Sequence, residues 1–413
     1  MLSNAGISTF DEEATTCSPT YMFRLKMYPA KNGDAFLVDA AGTYILIDAG
    51  FASTYQDFVA ADLAQFAKEG GRLDLVVCTH IDADHIGGLL EFFSNNGTPA
   101  KRGIEVNAVW HNSLRSLPAP TAEPDGFLDR MVLESIQRRG FPRVSTSSPN
   151  PISARQGSSL ATLLRQHHYT WNLGNGSTCI SEGSALPLPP NVSVHAIGPT
   201  TTRLESLRSL WLREVRKLGY KGSSQANDLT DDAYEMWCAS VPDRSVPQAT
   251  PIAANGRLRL AEVYTPDTSI SNGSSIALII STGNKRVLFL GDAWAEDIVA
   301  RLRSLYAPTS PIIFDAIKVS HHGSFHNTSV DLLSVADSPC FLISSDGTRH
   351  GHPDFEVLAE IVDRPAPFKR HLFFNYETAA SKQLLSHTSK SGTAFSVHVA
   401  KNDWIQLGES NYD

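Results

Sequence analysis

Ten residues, Thr79–Gly88 (THIDADHIGG), constrain this chain more than any other stretch. They place His80, Asp82, Asp84 and His85 within six positions, directly after the apolar run LDLVVC. A short apolar run of this kind reads as a buried strand, so the polar cluster sits where a core strand emerges. On extended chain, residues i and i+2 point the same way, so His80 and Asp82 can grip one cation. Asp84 and His85 fall where the chain turns toward the helical stretch IGGLLEFFSNN, and can reach a second cation beside the first. The Gly87–Gly88 pair lets that helix approach a sheet closely. The competing reading, a solvated polar loop, does not account for four ligand-type side chains at a strand end.

The flanking sequence supplies an α/β frame. YMFRLKMY (Tyr21–Tyr28) alternates with period two, as a half-buried strand does. Ala35–Ala40 and Thr43–Gly50 continue a meander that ends near Asp48. Helical spacing at Phe58, Leu63 and Phe66 stops at Gly70–Gly71. Strands and helices then alternate through VNAVW (Val106–Trp110), the pattern of a layered α/β sheet. Helices are expected at Ser158–Trp171 and Arg203–Tyr220, and a strand at Asn191–Thr200. SSIALIIST and RVLFLGDA flank a short turn and read as a hairpin, and WAEDIVARLRSLY reads as the helix after it. The second half repeats the style of the first, with strands ending in Asp or His, so two facing sheets with outer helices are expected. Lys221–Asn255 turns polar and is the best candidate for a mobile insertion.

Composition excludes several classes. The 413 residues are 42% hydrophobic and 19% charged, enough apolar material for a full core and against global disorder. A net charge of -8 supplies no overall basic field, so nucleic-acid binding would need a local basic patch or metal ions. The five cysteines (17, 78, 179, 238 and 340) are scattered and form no CxxC, which suits a reducing compartment. No apolar run reaches the ~18–20 residues of a membrane span. The first residues lack the basic start and apolar stretch of a secretory signal. The expected setting is cytoplasmic, with no membrane partner.

HxDxDHxGG after a LIDAG strand resembles the metallo-β-lactamase fold. The usual pattern there is HxHxDH, and Asp82 stands where the second His would be. That departure resembles the ComEC-like branch and its stand-alone relatives. NGDAFLV, Gln156–Gly157, Trp171–Asn172, NGSSIAL (Asn272–Leu278), LGD (Leu290–Asp292), KVSHHGS (Lys318–Ser324) and GHP (Gly351–Pro353) follow in the same order. The resemblance spans Tyr21 to Ile361 and implies an αββα sandwich of two mixed sheets with outer helices. It also implies one such domain over residues 21–400, with insertions at about 112–155 and 221–270. Tails of residues 1–20 and 401–413 would flank it.

The same resemblance implies a site. His80 and Asp82 would bind the first metal, Asp84 and His85 the second, and Asp292 would bridge both. Asp48 would order the ligand loop. By strand order His352 would be the last ligand, on the second metal. His321 or His322 would contact phosphate or donate a proton, with Ser324 nearby; the reverse assignment stays open. Asp84, His321 and His322 thus form the expected catalytic group, and Ser324, Lys318 and His350 the substrate-binding candidates. For Asp292 the competing role is a helix N-cap, for Asp48 a turn-former. His195 fits a satisfied strand histidine better than a third first-metal ligand.

Two divalent ions, Zn²⁺ or Mn²⁺, held ~3.5–4 Å apart would activate water and neutralise charge on the attacked group. The hard, anionic oxygen of Asp82 raises affinity for Mn²⁺ relative to an all-imidazole site. The expected function is a metal-dependent phosphodiesterase or nuclease acting on nucleic acid or another phosphodiester. The alternatives are a hydrolase of a small ester, lactone or cyclic nucleotide, and a non-catalytic, metal-stabilised partner-binding component of a defence system. Protein partners and homo-oligomers are left open.

Overall fold

The computed structural model describes residues 22–118, 159–217, 235, 258–349 and 351–408. The expected tail 1–20, Gln156–Gly157, His350 and most of the two expected insertions lie outside the described residues.

The chain opens with β1 (Phe23–Met27), β2 (Phe36–Ala40) and β3 (Thr43–Ile47), an antiparallel meander. In β1, Phe23, Leu25 and Met27 are buried, while Arg24 and Lys26 pair with Asp39 and Asp62. A π-helical turn, Tyr55–Val59, leads into α1 (Ala60–Lys68). The apolar run then gives β4 (Leu75–Val77), the ligand-bearing loop, α2 (Ala83–Asn95) and β5 (Val109–Trp110). β3, β4 and β5 run parallel, so the first sheet is mixed.

The second sheet follows α3 (Leu160–Gln166), capped by the Ser159 side chain. β6 (Ala185–Leu188) and β7 (Val192–Ala196) precede α4 (Thr201–Lys217), then come β8 (Leu278–Thr282) and β9 (Lys285–Phe289) as the expected hairpin. After α5 (Ala295–Tyr306) the sheet turns parallel. β10 (Ala316–Lys318), β11 (Cys340–Ile343), β12 (Arg370–Phe374) and β13 (Phe395–Val399) extend it, with α6 (Phe355–Asp363) between β11 and β12 and α7 (Ala379–Leu385) after β12. The order is β13-β12-β11-β10-β9-β8-β7-β6.

Three apolar layers hold these parts together. Phe23, Val38 and Leu75 of the first sheet meet Val194, Leu278 and Phe289 of the second in one cluster between the sheets. Phe36 and Phe289 touch edge to face at 5.6 Å. Outside the first sheet, Leu46 and Val76 pack with Ile86, Leu89 and Phe93 of α2. Outside the second, Leu288 and Phe341 pack with Ile298 and Leu302 of α5 and Leu358 of α6. This is the αββα sandwich of two mixed sheets with outer helices. No helix among the described residues is long and apolar enough to cross a membrane.

Two boundaries differ from expectation. The segment expected as a tail from residue 401 contains β14 (Ile405–Gln406), which pairs with β1 and closes the first sheet's edge. Buried Ile405 and Leu407 anchor it, but two apolar residues are too few to stand out in a sequence pattern. Within the expected insertion 221–270, Glu235 is fully buried against His111 (2.7 Å), and Leu260–Val263 is helical.

Candidate metal centre

β4 ends at Val77 and delivers Thr79 and His80 to one end of the sandwich. Gly88 makes the geometry of the following helix possible: a Cβ there would lie 2.0 Å from the Ala49 carbonyl oxygen. The loop is pinned from beneath by Asp48, which is fully buried with φ of 52°. Its carboxylate accepts from Thr79 N (2.8 Å), from Thr79 Oγ1 (2.6 Å) and from His85 Nδ1 (2.8 Å). Asp48 is thus a buried organiser, not merely a turn-former.

Asp292 enters from the second sheet, just past β9. It is buried, and Trp294 rather than Asp292 is the N-cap of α5. Four imidazoles surround its Oδ2: Nε2 of His85 at 3.5 Å, His80 at 3.7 Å, His322 at 3.7 Å and His321 at 3.8 Å. Asp82 Oδ2 lies 3.7 Å from His80 Nε2, and Asp84 Oδ2 lies 3.9 Å from His322 Nε2. Ligand atoms of His80, His85 and Asp292 all fall within 4.8 Å of one another, as do those of Asp84, His85 and His322.

The outer ring nitrogens are all engaged. His85 Nδ1 meets the Asp48 carboxylate, and His322 Nδ1 meets the Ser344 carbonyl at 2.9 Å. His80 Nδ1 meets Thr79 Oγ1 at 3.1 Å, whose own proton goes to Asp48. Each partner accepts, so each Nδ1 carries the hydrogen and each Nε2 presents a lone pair inward. Nε2 of His80, His85 and His322 and Oδ1 of Asp292 are buried without a hydrogen-bond partner. Buried polar atoms are rarely left so. Inward lone pairs held by outer acceptors are the arrangement that suits metal-ligating histidines, so these residues fit a divalent metal.

The electrostatics are those of a metal-free centre. Burial lowers His80, and with the neighbouring His85 takes its ring to about 4. Burial also opposes charge on His85, but Asp292 and Asp48 outweigh it and push that ring well up. Burial would raise Asp292, yet His85, His322 and His321 hold it well below the usual carboxylate range. Asp34 is likewise held low, against burial, by Lys318 and His322.

Several sequence expectations are redirected. Among the described residues, His322 rather than His352 joins Asp84, His85 and Asp292; His352 Nδ1 lies 3.2 Å from Asp354, and its ring lies 5.5 Å from that of His321. The reason is backbone: His321 and His322 both adopt left-handed φ, 45° and 57°, which swings neighbouring rings to one centre. Such non-glycine residues cost roughly 1–3 kcal/mol each and cluster at functional sites. Lys318 and Ser324, expected as substrate-binding candidates, are buried. Lys318 pairs with Asp34 and donates to the Gly291 carbonyl at 3.0 Å. Ser324 Oγ accepts from His326 N at 3.2 Å. His195 is exposed on β7, away from the centre.

Four participants went unnoticed in the sequence reading. Asp34 sits in a segment read only as a turn. Asn32 Nδ2 donates to Asp84 Oδ2 (2.9 Å), and Ser271 Oγ to Asp82 Oδ1 (2.5 Å). Asn327, six residues beyond His321, meets that ring at 2.7 Å. For Asn32 and Asp34 the signal lies in the quoted motif NGDAFLV, whose polar residues are more numerous than a turn requires; Ser271 and Asn327 stand outside the quoted motifs.

The chain is thus an αββα sandwich with ligand-type side chains gathered at one end. Residues 28–184 match the family model described as the metallo-beta-lactamase superfamily. Among solved structures, the metallo-beta-lactamase fold protein YhfI from Bacillus subtilis is similar at 10% identity, over 93% of this chain and 99% of that one, with a TM-score of 0.36. Tm1679, described as a metal-dependent hydrolase of the beta-lactamase superfamily, is similar at 10% identity over 94% and 100%, with a TM-score of 0.38. Zn²⁺-bound PqqB from Methylobacterium extorquens is similar at 11% identity over 91% and 86%, with a TM-score of 0.33. No curated protein sequence matches the chain.

Proposed function

We propose that the protein hydrolyses phosphodiesters, nucleic acid foremost, with two divalent ions held at this centre. The observation that carries the reading is the convergence of four imidazole Nε2 atoms on one carboxylate oxygen, with two further carboxylates beside them. When bound, such a pair lowers the pKa of water and neutralises charge on substrate oxygens. Asp292 lies between the two ligand groups, and Asp84, His85 and His322 form one of them. His80 and Asp82 form the other.

The substrate class rests on the donor set. Asp82, Asp84 and Asp292 supply hard oxygen, which favours Mn²⁺ or Mg²⁺ more than an all-imidazole site would. These ions pair naturally with phosphoryl oxygen. The centre opens on the Asp82–Asp84–His321 side, where side-chain exposure is 37%, 16% and 22%, against 0% for His80 and His85. Exposed Lys31, beside Asn32, stands on the loop that touches Asp84 and can meet an anionic substrate. The ComEC-like motif set points the same way.

The test is one panel. Bound metal is measured, then Mn²⁺, Zn²⁺ and Mg²⁺ are tried with single- and double-stranded DNA, RNA, cyclic dinucleotides and a lactone. Phosphodiester cleavage with Mn²⁺ is expected, and its loss in a folded Asp84→Ala variant. Turnover of the lactone alone would overturn the substrate class, and parental turnover in Asp84→Ala would overturn the two-metal reading.

A further inference from the structure

A second group of metal-ligating side chains stands outside the centre described above, on β12 and β13 at the edge of the second sheet. His371 Nδ1 and His398 Nε2 are 3.2 Å apart, and Ser396 Oγ is 2.8 Å from each. We propose that these three side chains form a separate cation site for an imidazole-seeking divalent ion, Cu²⁺, Ni²⁺ or Zn²⁺, which ties the edge strand β13 to β12. The site is independent of the phosphodiesterase reading and of any ion at the first centre.

Strand register brings the three side chains together. β12 and β13 run parallel, with His371 opposite Ser396 and Phe373 opposite His398. Alternate residues of a strand share a face. Leu372, Phe395 and Val397 turn to the outer helices, and Phe373 belongs to the apolar layer between the sheets. His371, Ser396 and His398 therefore lie on the inner face, where β8, β9 and β11 place Leu278, Phe289 and Leu342. All three are half-buried. The Phe373 ring stacks on His398, with centroids 4.6 Å apart and planes at 17°, and so fixes the direction of Nε2.

Protons alone do not satisfy this triangle. A neutral imidazole nitrogen either donates or accepts, never both. A hydrogen given by His371 Nδ1 to Ser396 Oγ, with the hydroxyl hydrogen passed to His398 Nε2, fills two sides. The nitrogen–nitrogen side stays unfilled, and the mirror assignment leaves the same gap. One cation set off the plane of the three atoms takes a lone pair from each. Nitrogen ligands held at ~2.0–2.1 Å by a tetrahedral ion lie about 3.3–3.4 Å apart. His371 and His398 already stand at nearly that separation.

The donor type selects the ion. The three donors carry no negative charge, and imidazole suits Cu²⁺, Ni²⁺ and Zn²⁺ where carboxylate oxygen suits Mn²⁺ and Mg²⁺. The first centre, with Asp82, Asp84 and Asp292, belongs to the second kind. β13 is an edge strand that is half-buried over most of its length. An ion gripped by His371 and His398 pins it to its one neighbour, and binding to the folded form alone stabilises that form.

The experiment titrates metal-stripped, full-length protein calorimetrically with Zn²⁺, Cu²⁺ and Mn²⁺. The parent is compared with His371→Gln, His398→Gln and Asp84→Ala, and circular dichroism checks the fold. One Zn²⁺ or Cu²⁺ should weaken in both histidine variants by more than the ~10-fold that loss of an outer partner costs. Mn²⁺ uptake should not change in them, and Asp84→Ala should keep the ion that they lose. In the unsubstituted protein, Zn²⁺ should slow carbethoxylation at His371 and His398, mapped by mass spectrometry, but not at exposed His195. Unchanged Zn²⁺ and Cu²⁺ uptake in both histidine variants, or carbethoxylation at both rings unaffected by saturating Zn²⁺, would overturn the proposal. A parent that binds a single ion, lost in His371→Gln and kept in Asp84→Ala, would support it while overturning the metal reading of the first centre.

Discussion

Asp48→Asn is the substitution that best separates an organising carboxylate from a structural one. Asn tolerates the left-handed φ of 52°, so the backbone is left undisturbed. Its carbonyl oxygen can still accept from Thr79 N, the 2.8 Å bond. Its amide nitrogen replaces Oδ2, which now receives both the Thr79 hydroxyl and His85 Nδ1. An NH₂ group cannot accept either. His85 must give up its Nδ1 hydrogen and carry it on Nε2 instead, facing Asp292 Oδ2 at 3.5 Å. The inward lone pair is lost, although no ligand has been removed. Losing an outer partner of this kind typically costs 10–100-fold in metal affinity, about 1.4–2.8 kcal/mol. Loss of a charge-assisted hydrogen bond should also cost the metal-free protein roughly 1.5–3 kcal/mol. Competition with a chromophoric chelator for Mn²⁺ or Zn²⁺ reads the first effect, and urea unfolding of the metal-free protein reads the second. The expected pattern is one ion weakened and the other close to parental. Two ions at parental affinity would refute the claim that His85 ligates through Nε2.

Three further outcomes follow from the same geometry. Metal-free protein should be most stable near pH ~6.5: His85, raised, stabilises in full below the ordinary imidazole value and loses that contribution as pH rises through its folded value, whereas His80, lowered to about 4, loses its contribution as pH falls from ~6.5 to about 4, and Asp292 loses its own only at more acid pH still. Saturating Mn²⁺ should move that optimum upward, because it requires neutral His85; thermal melts from pH 4 to 9 with and without chelator check both points, and coincident optima would contradict them. Lys318→Met strands the buried Asp34 carboxylate and should cost about 3–5 kcal/mol in urea unfolding, with part of the loss recovered by adding Asp34→Asn. Gly88→Ala should cost at least about 1–3 kcal/mol by pushing α2 off the Ala49 carbonyl, while Gly174→Ala, whose Cβ would meet nothing within 4 Å, should be nearly neutral.

What the sequence made legible was local or strictly periodic. His80, Asp82, Asp84 and His85 stand close enough in the chain that one strand end must present them together. Asp292 was marked by the apolar strand before it, and β1 by its alternation. The choice between His322 and His352 was not legible, because strand order allows either and the deciding feature is left-handed backbone at two successive non-glycine residues. Lys318 reads from the sequence as a substrate-binding candidate, because lysine is rarely buried. Its compensation, Asp34, lies on a loop of the opposite sheet, and no local pattern links the two. β14 escaped notice for a similar reason: its partner, β1, is at the far end of the chain.

Charge explains why so many acids converge. Asp34, Asp48, Asp82, Asp84 and Asp292 bring five carboxylates to one end of the sandwich; Asp34, Asp48 and Asp292 are buried, and buried charge is tolerated only when it is paired. Two divalent ions would contribute four positive charges, and the ammonium of Lys318, set between Asp34 and Asp292 (3.8 Å from its Oδ1), contributes the fifth. With all four imidazoles neutral, the loaded centre is balanced before any substrate arrives. Stripped of ions it is not, and Asp292 and Asp48 then favour a proton on the His85 ring, against its burial. A carboxylate at position 82 in place of an imidazole is therefore matched by a lysine at 318. Restoring a histidine at 82 would leave the loaded centre one positive charge in excess, so Asp82→His combined with Lys318→Met should hold two ions more tightly than Asp82→His alone. A calorimetric titration in which the double variant binds no better than the single one would break that link.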